Sequence, residues 1–173
     1  MACGPVDYTQ GAMKNSSYRW YKPNYVDPVS QGTRCHQLGM YVVFESPFNM
    51  LCDAPQYYDR EAECTDFIAS VPTVWDETVA VDGKVGDYIV IARRAGDVWY
   101  VGGLCGHESR TLDVDPSFLG TGDWEVEMFS DGANAGRHAE DYRRTVFNAD
   151  GILNVQMASG GGFAARISRK YEK

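Results

Sequence analysis

Carboxylates are the most numerous chemically useful side chains in this 173-residue sequence, 24 of them against 16 lysines and arginines. Two carboxyl groups held across a bond can share acid and base work, but so high a count selects no pair by itself. The five cysteines (Cys3, Cys35, Cys52, Cys64, Cys105) form no CxxC pair and have no histidine at metal-ligand spacing. They read as small buried hydrophobes, not as a disulfide framework or a zinc site. His36, His107 and His138 are scattered, which gives little support to a histidine-based catalytic dyad. Gly160-Gly161-Gly162 joins two expected strands and opens no helix, so it is a turn and not a phosphate loop. The densest chemistry is aromatic: Tyr8, Tyr18, Trp20, Tyr21 and Tyr25 crowd one stretch rich in Gly, Pro and Ser.

The elements that must position these residues fall into three textures. Residues 4–32 show little periodicity and read as a long loop, a type that is usually functional when it occurs. Residues 33–72 read as helix, short strand, helix. Thr33 caps the first helix, and Leu38, Tyr41, Val42 and Glu45 follow at helical spacing. That helix is apolar around much of its circumference near its end, which implies burial on several sides. Ser46-Pro47 stops it. The apolar run 48–52 fits a buried parallel strand. Asp53 then reads as the cap of a second helix opened by Pro55 and ended by Pro72, with Tyr57, Glu61, Cys64 and Ile68 on one stripe.

From residue 73 onward the period changes to two. Runs 88–94 and 98–104 are joined by Ala95-Gly96-Asp97, a short hairpin signal. Trp124, Val126 and Met128 alternate with glutamates. Leu153, Val155 and Met157 alternate with Asn154 and Gln156, and 163–167 closes the pattern. Seven or so short strands argue an antiparallel, Greek-key-like β-sandwich with one wet face per sheet. Trp75, Trp99 and Trp124 are expected in its core or at its junction with the first segment, with a carbohydrate-binding surface as the alternative.

A formal net charge of −8 disfavours nucleic acid and anionic membranes as partners. No run approaches the ~18 apolar residues of a membrane helix. The first residues carry no targeting signal.

Several stretches together carry a family resemblance. Gly4-Pro5-Val6-Asp7-Tyr8-Thr9-Gln10-Gly11-Ala12-Met13 resembles the segment that closes a late barrel strand in glycoside hydrolase family 97, and Ser30-Gln31-Gly32-Thr33-Arg34-Cys35-His36-Gln37-Leu38 the helix after it. Glu45-Ser46-Pro47-Phe48-Asn49-Met50-Leu51-Cys52-Asp53-Ala54-Pro55 is similar to the last barrel strand. Phe67-Ile68-Ala69-Ser70-Val71-Pro72-Thr73-Val74-Trp75-Asp76-Glu77-Thr78 looks like the junction to the C-terminal domain, and Gly160-Gly161-Gly162-Phe163-Ala164-Ala165-Arg166-Ile167 like its last strand. Gly103-Leu104-Cys105-Gly106-His107 departs from the family wording Gly-Leu-Thr-Asp-Trp.

The resemblance implies a mixed fold: residues 1–72 as the last strand and helix segment of a (β/α)8 barrel, and residues 73–173 as the β-sandwich. It implies a complete enzyme that uses calcium, cleaves α-linked oligosaccharides and works in the periplasm or outside the cell. An α-glucosidase is expected first, and an α-galactosidase is the other branch. The family's catalytic and calcium-binding glutamates lie upstream of Gly4, so no catalytic or metal residue and no cofactor is expected in this chain, and the chain alone is expected to be inactive. Only Met1, Ala2 and Cys3 precede Gly4, so it is expected to begin mid-strand and to need the missing N-terminal part as its partner. Asp7, at a barrel strand end, and Tyr8, Trp20 and Tyr21 are the expected substrate-proximal residues. Asp7 as a loop staple, and the rings as pins for the loop, are the structural alternatives. A non-catalytic sandwich that supports a barrel or binds carbohydrate is the second functional reading.

Overall fold

The computed structural model describes residues 4–170. Two short strands, β1 (Asn15–Ser16) and β2 (Ser30–Gln31), pair in parallel and close the neck of the aromatic loop. Helix α1 (Arg34–Val43) starts as expected: the Thr33 hydroxyl oxygen accepts from the His36 N–H at 3.0 Å. Its eight buried residues lie around most of the helix, as an apolar circumference requires.

The next segment departs from expectation. The 48–52 run is irregular, with Phe48, Met50 and Leu51 exposed. A parallel strand needs a neighbour to take its N–H and C=O groups, and among the described residues no strand lies beside it. Asp53 caps no helix. Its carboxylate accepts from the Ala54 N–H at 2.8 Å and from the Met13 N–H at 2.8 Å, which ties the segment to the loop instead. The single helix expected up to Ser70 is two, α2 (Pro55–Arg60) and α3 (Ala62–Ser70). They are broken at Glu61 (φ −109°, ψ 45°), whose carboxylate turns to the Arg34 guanidinium.

The remaining chain supplies β3 (Glu77–Lys84), β4 (Tyr88–Ala95), β5 (Val98–Cys105), β6 (Arg110–Val114), β7 (Trp124–Asp131), β8 (Tyr142–Asn148), β9 (Leu153–Met157) and β10 (Gly162–Arg169). Six of them form one antiparallel sheet in the order β3-β4-β5-β10-β7-β8, and β6 pairs with β9 as a separate ribbon. The β4–β5 turn is the expected hairpin: Ala95 pairs with Val98 and Gly96 takes φ 58°, the glycine-first geometry of a two-residue turn.

The sheet does not keep the one wet face expected of it. Strands β5 and β10 are buried over most of their length because both faces are covered. On one face the β6–β9 ribbon closes a core of Val101, Val126, Val155, Met157, Phe163 and Ile167. On the other, Leu38, Val42, Cys64 and Phe67 of the helices pack on Tyr100, Phe129 and Ala164. At roughly 25 cal/mol per Å² of apolar surface, each such face is a major part of the folding free energy. No helix among the described residues is long and apolar enough to cross a membrane.

Candidate functional site

The four residues expected near substrate do not converge. They lie at opposite ends of α1, a helix of ten residues and so roughly 15 Å long. Asp7 is exposed at the C-terminal end of α1, in a groove lined also by Pro5, Val6, Ser46, Pro47 and Phe48. Among the described residues Asp7 is the only carboxylate lining that groove. The Val6 N–H donates to the Glu45 carbonyl at 2.9 Å and fixes the approach of this segment. Tyr8 is half-buried and works as an anchor: its hydroxyl donates to the Met40 carbonyl at 3.3 Å, and its ring meets Phe44 edge-on at 5.0 Å. Burial pushes that phenol up to about 12.

Trp20 and Tyr21 lie towards the other end. Both their N–H groups donate to the Ser17 carbonyl, at 2.9 and 3.0 Å, in a tight turn that leaves both rings exposed. Trp20 borders a groove that the sandwich completes with Arg137, His138 and Glu140. The loop around it is tied down by a Lys14–Asp27 ion pair.

Of the buried charged groups not singled out in the sequence, two stand next to the aromatic loop and the triglycine turn. Arg34 is 1% exposed, yet its Nε donates to Asn15 Oδ1 at 2.7 Å, its Nη1 pairs with Glu61 at 2.8 Å and its Nη2 with Glu140 at 3.3 Å. One guanidinium thus joins the aromatic loop, the break between α2 and α3, and the loop before β8. A charge so buried must be paired, and here three separate segments pair it. The signal available in the sequence was an arginine in the first turn of an otherwise apolar helix, where the helix dipole disfavours a cation.

Asp131, at the end of β7, is the second. Its Oδ2 accepts the N–H groups of Ala158 and Gly162, at 2.8 and 3.1 Å, and holds the triglycine turn against α1. Burial pushes its carboxyl up to about 6, although the Thr33 hydroxyl and these N–H groups pull it down. Beside it His36 Nδ1 donates to the Gly161 carbonyl at 3.0 Å, and burial holds the imidazole below its usual range, so it is neutral. The scattered histidine of the sequence is a structural pin.

Among the described residues no group of three or more His, Cys, Asp or Glu side chains comes together as a metal-ligand set.

Fold and site define a β-sandwich that carries a helical layer on one face and an aromatic loop at its edge. A sequence model described as "Glycosyl-hydrolase 97 C-terminal, oligomerisation" matches residues 74–168. The chain belongs to the glycosyl-hydrolase 97 family, in its C-terminal part. It is 58% identical over 166 residues to a retaining alpha-galactosidase of Bacteroides thetaiotaomicron, covering 95% of this chain and 25% of that protein. A probable retaining alpha-galactosidase of Streptomyces bingchenggensis is 33% identical over 94% of this chain and 23% of its own length. Among solved structures, a family 97 enzyme of Pseudoalteromonas sp. strain K8 in complex with acarbose matches at TM-score 0.77 and 34% identity, over 81% of this chain and 23% of that one. The chain spans about a quarter of the length of the curated relatives it matches.

Proposed function

We propose that this chain is the C-terminal portion of an α-galactosidase, comprising the end of its catalytic barrel (residues 1–72) and the sandwich that braces it (73–173). The observation that carries the reading is the 58% identity to a retaining alpha-galactosidase across 95% of the chain. It favours the galactosidase branch over the glucosidase that the sequence wording put first. The barrel assignment is supported by the course of residues 4–13 and 46–53, tied together at both ends by the Val6–Glu45 and Met13–Asp53 hydrogen bonds. It also accounts for Phe48, Met50 and Leu51, apolar side chains that lie open beside those segments.

In this reading the carboxylate pair that glycoside cleavage needs lies outside residues 1–173, as does the calcium site. In this reading the chain alone is inactive. The oligosaccharide substrate belongs to the assembled enzyme, which acts in the periplasm or outside the cell. Asp7, in the groove at the C-terminal end of α1, serves it as part of the surroundings of the substrate path. The role of the chain is to complete the barrel and hold it.

A chimera tests this. The 166 matched residues of the Bacteroides enzyme are replaced by those of this chain, and hydrolysis of p-nitrophenyl α-galactoside and α-glucoside is measured. The chimera is expected to cleave the galactoside within about tenfold of the parent rate, a barrier change near 1.4 kcal/mol. A soluble chimera without α-galactosidase activity, or turnover by this chain alone, overturns the proposal.

A further inference from the structure

We propose that Trp20 and the loop 132–141 of the sandwich form a binding groove for a neutral pyranose, so that the sandwich takes part in carbohydrate recognition and not only in support. The choice of carbohydrate as ligand class rests on the function proposed above. The groove itself rests on geometry.

Trp20 is 60% exposed, whereas Trp99 and Trp124 are buried and are crossed by Arg94 and Arg169. Arg19 lies over the Trp20 ring, 5.6 Å from its centroid, and occupies one face. The turn at Ser17 fixes the backbone of Trp20, so the indole costs little further ordering when it is used. An exposed, positioned indole offers an apolar plane for the CH face of a sugar ring.

The opposite wall is rigid in its own way. The loop 132–141 is laced by hydrogen bonds from the Gly132 N–H to the Asp141 carbonyl at 2.9 Å, from the Asn134 N–H to the Asp141 carboxylate at 2.8 Å, and from the Asp141 N–H to the His138 carbonyl at 2.8 Å. Ala135 and Ala139 are buried beneath it, and the Ala139 carbonyl accepts from the Arg34 N–H at 2.7 Å. Arg137, His138 and Glu140 between and beside these anchors are exposed. They bound a groove of about 240 Å³, somewhat below the range of drug-sized sites and fit for a single ring.

The chemistry of the lining selects a neutral, hydroxyl-rich ligand. Arg137 and Glu140 both line the groove, and Glu140 is held by Arg34 and by the Asn15 N–H at 3.0 Å. The chain charge of −8 disfavours an anionic ligand. Planar polar groups and an aromatic ring lining one groove match paired hydroxyls on a pyranose. Ser17 lines the same groove and is 3% exposed, and its buried hydroxyl has no hydrogen-bond partner among the described residues, a cost that a ligand hydroxyl reaching it would remove.

The test is an amide and indole NMR titration of the 173-residue chain with methyl α-D-galactopyranoside, with sodium sulfate as the anion control. The Trp20 indole and the amides of residues 137–140 should shift together along one millimolar isotherm, and sulfate should leave them in place. Trp20→Ala, an exposed loop substitution that leaves the other resonances unchanged, should weaken binding by about tenfold or more. Arg137→Ala should weaken it as well. Absence of sugar-dependent shifts at Trp20, or binding undiminished by Trp20→Ala, overturns the groove. An active chimera combined with either of those results leaves the proposed function standing while this inference fails.

Discussion

Gly39 of α1 and Gly102 of β5 meet backbone to backbone: a Cβ added to Gly102 would stand 2.8 Å from the Gly39 carbonyl oxygen, and one added to Gly39 would stand 2.9 Å from the Phe163 carbonyl. The helix therefore rides directly on the sheet, with Val42 and Val43 flanking the contact. Close-packed backbone cannot yield to an inserted methyl group without moving a whole element. Gly102→Ala should cost about 1–3 kcal/mol. In a chain of this size that is a fall in Tm of several degrees, at roughly 2–4 °C per kcal/mol. A calorimetric Tm within about one degree of the parent would show that helix and sheet are not in this contact.

The Arg34 cluster predicts an asymmetry. The guanidinium is sealed at 1% exposure, whereas the Glu61 and Glu140 side chains are 32% and 46% exposed and can turn to water. Arg34→Met leaves two acids with access to solvent. Glu61→Gln with Glu140→Gln leaves a buried cation without a counter-charge. The double substitution should cost about 3 kcal/mol, at the low end for a broken buried pair because the carboxylates are partly screened. Arg34→Met should cost clearly less. Urea midpoints in the reverse order would refute the account of burial.

Local signals were legible where one residue and its near neighbours decide the outcome. Thr33 caps α1 and Gly96 turns the β4–β5 hairpin because both depend on residues within a few positions. Strands β4, β5, β7, β9 and β10 followed from apolar alternation or continuous apolar runs. Strand β8 did not, because at the sheet edge Arg143, Arg144, Thr145 and Val146 are all exposed and no alternation is imposed on them. Burial on both sheet faces was hidden because the cover comes from α1, far upstream in sequence. The partners of Arg34 were hidden for the same reason: Glu140 lies 106 residues away. Of the four expected substrate-proximal residues, the sequence could not tell that Tyr8 is an anchor while Trp20 is free.

Asp131 gives a pH dependence with a definite sign. Its carboxyl is pushed up to about 6 from an ordinary 3.8, chiefly by burial, so the folded chain prefers the protonated form. Its contribution to stability is full below pH 3.8 and is lost as pH rises through about 6. Two units amount to a contribution of order 3 kcal/mol. His36, held low by burial, acts in the opposite direction: its contribution is full above its ordinary 6.5 and is lost as pH falls through its lowered value. A comparison with Asp131→Asn isolates the carboxyl, since His36 is common to both. From about pH 4 to 6 the parent should lose stability relative to Asp131→Asn, measured by urea unfolding at each pH. A difference that stays flat across that range would mean that Asp131 is not buried as described.

The helix layer also decides which part of the chain can stand alone. Residues 73–173 carry a period-two pattern of their own, yet Tyr100, Phe129 and Ala164 of the sheet share one core with Leu38, Val42 and Phe67 of the helices. Polar ties run across the same seam: the Tyr100 hydroxyl donates to the Ser70 carbonyl at 2.6 Å, and the Tyr142 hydroxyl to Glu63 at 2.8 Å. A fragment 73–170 would bare that apolar face and leave those hydroxyls to water, and large bared faces of this kind associate. A fragment 33–170 keeps α1, α3 and their contacts with the sheet. It should be monomeric in sedimentation and melt in one cooperative transition, while 73–170 should self-associate at the same concentration. If 73–170 is instead monomeric and melts within a few degrees of 33–170, the helices contribute little and the sandwich is the autonomous unit that its period-two pattern suggests.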